Sequence, residues 1–148
     1  MAVPCGPIRS SGSSVASAAT RTGADAVVVA TGKLIGGGIT AVGAELAESL
    51  LGLPLFQDRS PPAMAGSIHG PDPVQRFGAS PFRAAPGFRM GVGYDAAFRA
   101  LGAGGHPVSS RVFVAGALLE GFDPSCDGTG LGCAATTGYV AGVSAASG

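Results

Sequence analysis

Residues 112–142 read VFVAGALLEGFDPSCDGTGLGCAATTGYVAG, and the way this stretch folds decides the rest. It opens as an apolar run, crosses a glycine-rich loop and enters a small-residue segment without a single charge. The run at 111–116 predicts a buried β-strand, and the pattern from Gly130 to about Ala146 predicts a helix. Gly138 and Gly142 inside that helix cost propensity and allow close packing against a sheet. Glycine between a strand and a helix lets something come close to the backbone. A helix with no polar face is expected to be covered all round.

The same grammar recurs upstream. GADAVVVATG (23–32) is a continuous apolar run, Ala26–Ala30, bounded by turn residues, which predicts a fully buried strand ending in Thr31-Gly32. ITAVGAELAESLLGL (39–53) places apolar residues at helical spacing with Glu45 and Glu48 on the other side, which predicts a helix. Seven of the eleven prolines fall within 54–91, so no long regular element is expected there. Residues 91–101 read as a short strand and turn, 102–110 as a loop, and 1–22 as a frayed or cut start. Two buried strands that each end in a small-residue turn, the second feeding a helix, predict an open α/β sheet. Ligands of such sheets sit at the carboxyl ends of the strands.

Composition narrows the function classes. The 148 residues fit one domain or a piece of one, with zero formal charge and only 12% charged residues. The nine Lys and Arg are scattered, which gives no footprint for nucleic acid. So little charge predicts a chain largely covered by other protein. No segment is apolar enough for a membrane span, and the N-terminus carries no secretory signal pattern. Three cysteines, Cys5, Cys126 and Cys133, suit a reducing compartment, so a cytoplasmic location is expected.

Most candidate motifs fail on spacing. GTGLGC (128–133) has Cys133 where a dinucleotide fingerprint needs its third glycine, and no acid follows at the required distance. VVVATGK lacks the first glycine of a P-loop and the hydroxyl residue after Lys33. Cys126 and Cys133 form no C-x-x-C and read as packing thiols; His69 and His106 read as solvent-exposed loop side chains. Asp123 before a proline suits a turn or helix cap. Among Arg76, Arg83, Arg89, Arg99 and Arg111, any of which could hold an anion through its guanidinium, the sequence selects none.

Taken together, AVVVATGKLIGGGI, ESLLGLPL and VFVAGALLEGFDP…GTGLGCAATTGYVAG resemble the C-terminal part of the B-type subunit of anaerobic glycerol-3-phosphate dehydrogenase, a member of the FAD/NAD(P)-binding flavoprotein superfamily. The likeness spans residues 23–56 and 88–146. It implies the C-terminal portion of a doubly wound, glutathione-reductase-like domain: 1–53 a partial flavin-binding unit, 54–87 a proline-rich cap or substrate-domain remnant, and 88–148 the closing strand, glycine loop and helix. The implied cofactor is a flavin, FAD or FMN. Ala30, Thr31 and Gly32 would line it, and the strand ending at Gly116 and Ala117 would run under the ribityl chain. Gly121, Phe122, Asp123 and Gly128 would form the neighbouring loop. Gly130, Leu131 and Gly132 would point the last helix at the ring, where its N–H groups favour negative charge.

Many members of the wider superfamily carry an acid at the position of Ala117, and a serine is usual in the B-type family, so that ribityl contact is missing here. The phosphate-cradling first half of such a domain is not in this sequence either, which implies an incomplete active site and no catalytic residue to name. The implied activity is oxidation of sn-glycerol 3-phosphate with electrons passed toward quinone. The implied partners are a catalytic flavoprotein subunit and an iron–sulfur subunit, with contact at the inner membrane only through them. Two alternatives stand beside it: a non-catalytic binding or assembly module derived from the fold, and a fumarate-reductase-like flavoprotein with another substrate.

Overall fold

The computed structural model describes residues 23–42, 45–60, 86–123 and 126–147. Among the described residues the chain is mixed α/β with three two-stranded sheets. In order, the elements are β1 (Val27–Val29), β2 (Ile39–Val42), β3 (Glu45–Glu48), β4 (Leu55–Phe56), a one-turn α1 (Pro86–Arg89), β5 (Gly91–Val92), β6 (Val112–Val114), a 3-10 turn (Gly116–Leu118) and α2 (Gly130–Ala146).

β1 and β6 pair in parallel, with Val27 opposite Val112 and Val29 opposite Val114. These are the two strands that the apolar runs predict, here side by side. The far edge of β6 is occupied: Ala100 N–H donates to the Val112 carbonyl and Val114 N–H to the Phe98 carbonyl, both at 2.9 Å. Both faces of β6 are covered as well. Val112 and Val114 join a core with Val29, Leu55, Val92 and Leu118, while Phe113 packs on the other face with Ala115 and Ala141 of α2.

β1 departs from expectation. Its run is not fully buried: Val27 and Val28 are 43% and 40% exposed, and only Val29 is inside. The cause is position. Val27 N–H and the Val29 carbonyl bond toward β6, so the alternation of a strand turns the Val28 amide groups to the opposite edge. Among the described residues no strand pairs there.

The helix expected over 39–53 is a hairpin. β2 and β3 pair antiparallel, Ile39 opposite Glu48 and Val42 opposite Glu45. Glu48 overrides the helical spacing. Its side chain is buried and its carboxylate accepts from the Leu50 N–H at 3.0 Å, the Leu51 N–H at 2.8 Å and the Thr31 hydroxyl at 3.2 Å. Those bonds close the turn that a helix would have run through. The early part of the proline-rich stretch also takes regular form, since β4 pairs with β5 and places Leu55 and Phe56 inside. The rest of it, 61–85, lies outside the described residues, as do His69, Arg76, Arg83 and Cys5.

α2 forms where predicted but is not enclosed. Ala141 is its one buried residue, whereas Leu131 is 90% and Tyr139 75% exposed. Its lack of charge therefore does not reflect burial among the described residues.

Gly91 shows how closely β5 meets the segment after β6. A Cβ there would overlap the Leu118 carbonyl oxygen and stand 2.6 Å from the Glu120 nitrogen, both backbone atoms. Gly91→Ala is expected to destabilise the fold by about 2 kcal/mol or more, the scale of overpacking a filled core. Urea denaturation of the two proteins measures it, and equal midpoints would refute the close approach.

Candidate functional site

The carboxyl ends of β1 and β6 lie side by side because the strands are parallel, and Ala115 N–H donates to the Val29 carbonyl at 3.0 Å where they stop. Ala30, Thr31 and Gly32 leave β1 at this end, and Gly116 and Ala117 leave β6. Ala30 is exposed, Thr31, Gly32 and Ala117 are half-buried, and Gly116 is buried. Gly32 and Gly116 both take left-handed backbone, φ 80° and 71°, which lets each chain turn sharply off its strand. The Gly116 N–H donates to the Thr137 hydroxyl at 2.8 Å, and that hydroxyl donates to the Cys133 carbonyl at 2.6 Å. One threonine thus fastens the end of β6 to the first turns of α2.

The loop 121–123 is brought to the same region by a residue to which no sequence motif assigns a role. Lys33 is buried, and its ammonium donates to the Phe88 carbonyl at 2.7 Å and to the Phe122 carbonyl. Burial pushes its pKa down to about 8, against the opposing pull of the Asp123 and Glu120 carboxylates. Asp123 is buried beside it, and its carbonyl accepts from the N–H groups of Cys126 and Asp127. Asp123 N–H in turn donates to the Asp127 carboxylate at 2.9 Å. The backbone of Asp123 and the Asp127 carboxylate thus close the turn here.

Gly128, Gly130, Leu131 and Gly132 stand at the solvent-exposed start of α2. Gly128 is left-handed at φ 62°. A Cβ at Gly130 or Gly132 would meet nothing within 4 Å. Thr129 makes no side-chain cap, so the first N–H groups of the helix have no side-chain acceptor from that residue. Gly121 and Phe122 face a cavity of about 570 Å³ together with Cys133 and Thr137 of α2. Cys126 is exposed rather than packed, Cys133 is half-buried, and His106 is exposed as expected.

Comparison with known proteins adds no family: no family model, curated protein or solved structure matches this chain. Among the described residues no group of three or more His, Cys, Asp or Glu could hold a metal, and no helix is long and apolar enough to cross a membrane.

Sequence reasoning missed Glu48 and the burial of Lys33, along with Arg59 on the cavity wall. A lone Lys after a strand glycine carries no signal unless one knows which carbonyls it will meet. Those of Phe88 and Phe122 lie 55 and 89 residues away.

The lowered Lys33 pKa has a defined consequence. Between pH 8 and 10.5 the unfolded chain holds this proton and the folded chain does not, so stability rises with pH through that window. The cost of the buried charge is fully present below pH 8. Relative to Lys33→Met, the wild type should gain on the order of 3 kcal/mol across the window, at 1.36 kcal/mol per pKa unit. Thermal melts of both proteins from pH 7 to 10.5 read the difference, which isolates Lys33 from tyrosines and thiols. A pH-independent difference would remove the buried ammonium.

Proposed function

We propose that this chain is one part of a flavin-dependent oxidoreductase, contributing two strand ends and the closing helix of a doubly wound flavin-binding domain. The observation that carries the reading is the gradient of burial across the β1–β6 pair. Parallel sheets in stable domains are covered on both faces and continue from strand to strand. Here β6 is buried throughout, while β1 has two exposed valines and, among the described residues, an open edge. A further parallel strand beyond β1 would complete the sheet. In an open α/β domain that strand would carry the phosphate-binding turn the sequence here does not contain.

The residues at the strand ends suit a flavin. Small side chains at Ala30 and Ala117 leave backbone accessible, and Gly130 and Gly132 have open space above them. The first N–H groups of α2, which Thr129 does not cap, would favour negative charge on the bound ring. The flavin, when bound, supplies the redox chemistry; these residues position it and set the field around it. Ala117 offers no side-chain hydrogen bond to the ribityl chain, so that contact must come from backbone or from another part of the protein. By the sequence resemblance, the substrate is sn-glycerol 3-phosphate and the electrons pass toward quinone through a catalytic flavoprotein subunit and an iron–sulfur subunit.

Titrating FMN and FAD into the 15N-labelled chain tests the reading directly. Weak, saturable shifts are expected at the amides of Thr31, Gly32, Gly116, Ala117 and Gly130–Gly132. Gly132→Val, which places a branched side chain in the open space, should abolish them while the remaining spectrum stays dispersed. Flat titration curves at those amides, or shifts that survive Gly132→Val, would sink the assignment.

A further inference from the structure

The cavity beside α2 shares Gly121 and Phe122 with the flavin reading and is otherwise built from residues that reading does not use, so its occupant is inferred from those other residues. Three non-glycine residues among those described have left-handed backbone: Asp58 at φ 51°, Arg59 at φ 59° and Phe98 at φ 61°. All three line this one cavity. Asp58 and Arg59 are the two central residues of the turn between the bridged Gln57 and Ser60. A two-residue turn with both central φ values positive prefers Asn-Gly or Asp-Gly, so Arg59 stands where glycine would be easier. Phe98 is bulkier still at a conformation that bulky residues avoid. Strain of this kind gathers where a side chain is needed at a particular place.

The strained residues present specific chemistry. The Phe98 ring lies parallel to Tyr94, centroids 5.1 Å apart and planes 3° from parallel. The turn between them is pinned by Asp95, whose carboxylate accepts from Ala97 N–H at 3.0 Å, Arg99 N–H at 2.9 Å and Arg99 Nε at 2.7 Å. The aromatic wall is therefore fixed before any ligand arrives. Arg59 and Arg89 also line the cavity. Among the described residues neither is in an ion pair, the one such pair being Arg99 with Asp95. The Arg59 backbone N–H donates to Glu120 Oε1 at 2.9 Å, which anchors its turn to the cavity rim.

Two carboxylates, Asp58 and Glu120, share the lining with the two guanidiniums. The lining is balanced overall, which disfavours polyanions such as a diphosphate and leaves recognition of one carboxylate to the local guanidinium geometry. A guanidinium matches a carboxylate with two parallel hydrogen bonds, and a flat ring stacks on a preset aromatic wall. The volume, about 570 Å³, lies in the range of small-molecule sites. We propose that this cavity is a binding site for an aromatic monocarboxylate, the ring against Tyr94 and Phe98 and the carboxylate on Arg59 and Arg89.

Cys133 on the cavity wall and Cys126 outside it give an internal readout. The chain is alkylated with iodoacetamide under rising benzoate, and each cysteine is followed by peptide mass spectrometry. Benzoate is expected to slow Cys133 saturably and to leave Cys126 unchanged. Cyclohexanecarboxylate, of similar size and equal charge but without a flat ring, should protect Cys133 several-fold less well, and inorganic phosphate not at all. Arg89→Gln should weaken benzoate by about tenfold, the loss of one charged hydrogen-bonding partner. No saturable protection of Cys133 by benzoate overturns the proposal. So does equal protection by cyclohexanecarboxylate, or undiminished binding by the Arg59→Gln/Arg89→Gln protein. The comparison of the three anions on the unaltered chain needs no variant to fold. Amide shifts at the strand ends with flavin are scored separately, so either site can fail without the other.

Discussion

The ammonium of Lys33 is the tie on which the arrangement around the strand ends depends. It leaves the turn after β1 and donates to carbonyls of Phe88, in α1, and Phe122, in the loop past β6. Three segments that are distant in sequence thereby meet at one nitrogen. Burying that charge opposes folding, and the carboxylates of Asp123 and Glu120 only partly compensate. Against this opposition stand the two hydrogen bonds that the ammonium gives to the Phe88 and Phe122 carbonyls. The cavity by α2 inherits its geometry from the same tie, since Arg89, Gly121 and Phe122 on its wall adjoin the residues Lys33 holds.

A second fixed point is Glu48. Its carboxylate does for the 48–53 turn what a helix cap does elsewhere, accepting N–H groups two and three residues ahead. It also reaches the Thr31 hydroxyl at the end of β1. The hairpin of β2 and β3 is thus locked to the strand end that the flavin reading places beside the ligand. Lys33 and Glu48 both tie the segment 31–38 to other parts of the fold, one by donating and the other by accepting.

What the sequence could disclose followed from range. β1, β6 and α2 are set by runs of neighbouring residues, and each lies within a residue or two of where the apolar pattern puts it. The 39–53 segment carries a helical pattern too, but Glu48 is decided by a threonine seventeen residues away and by a turn the pattern does not encode. The exposure of β1 escaped for a related reason. An apolar run reports the surroundings a strand is suited to, and Val27 and Val28 do not have those surroundings among the described residues. Of the site, the glycine turns at 32 and 116 were legible as backbone features, whereas Lys33, Arg59 and the cavity emerge only from contacts across the fold.

The edge of β1, open among the described residues, bears on how the isolated chain behaves in solution. An unpaired strand edge flanked by bare valines is a template for another strand, and nothing in its three residues resists a wrong one: no proline, no charge, no bulge. Two copies could meet edge to edge in antiparallel fashion, the reverse of the parallel neighbour the sheet is suited to. Such pairing is second order in protein, so its extent rises with concentration and falls on dilution.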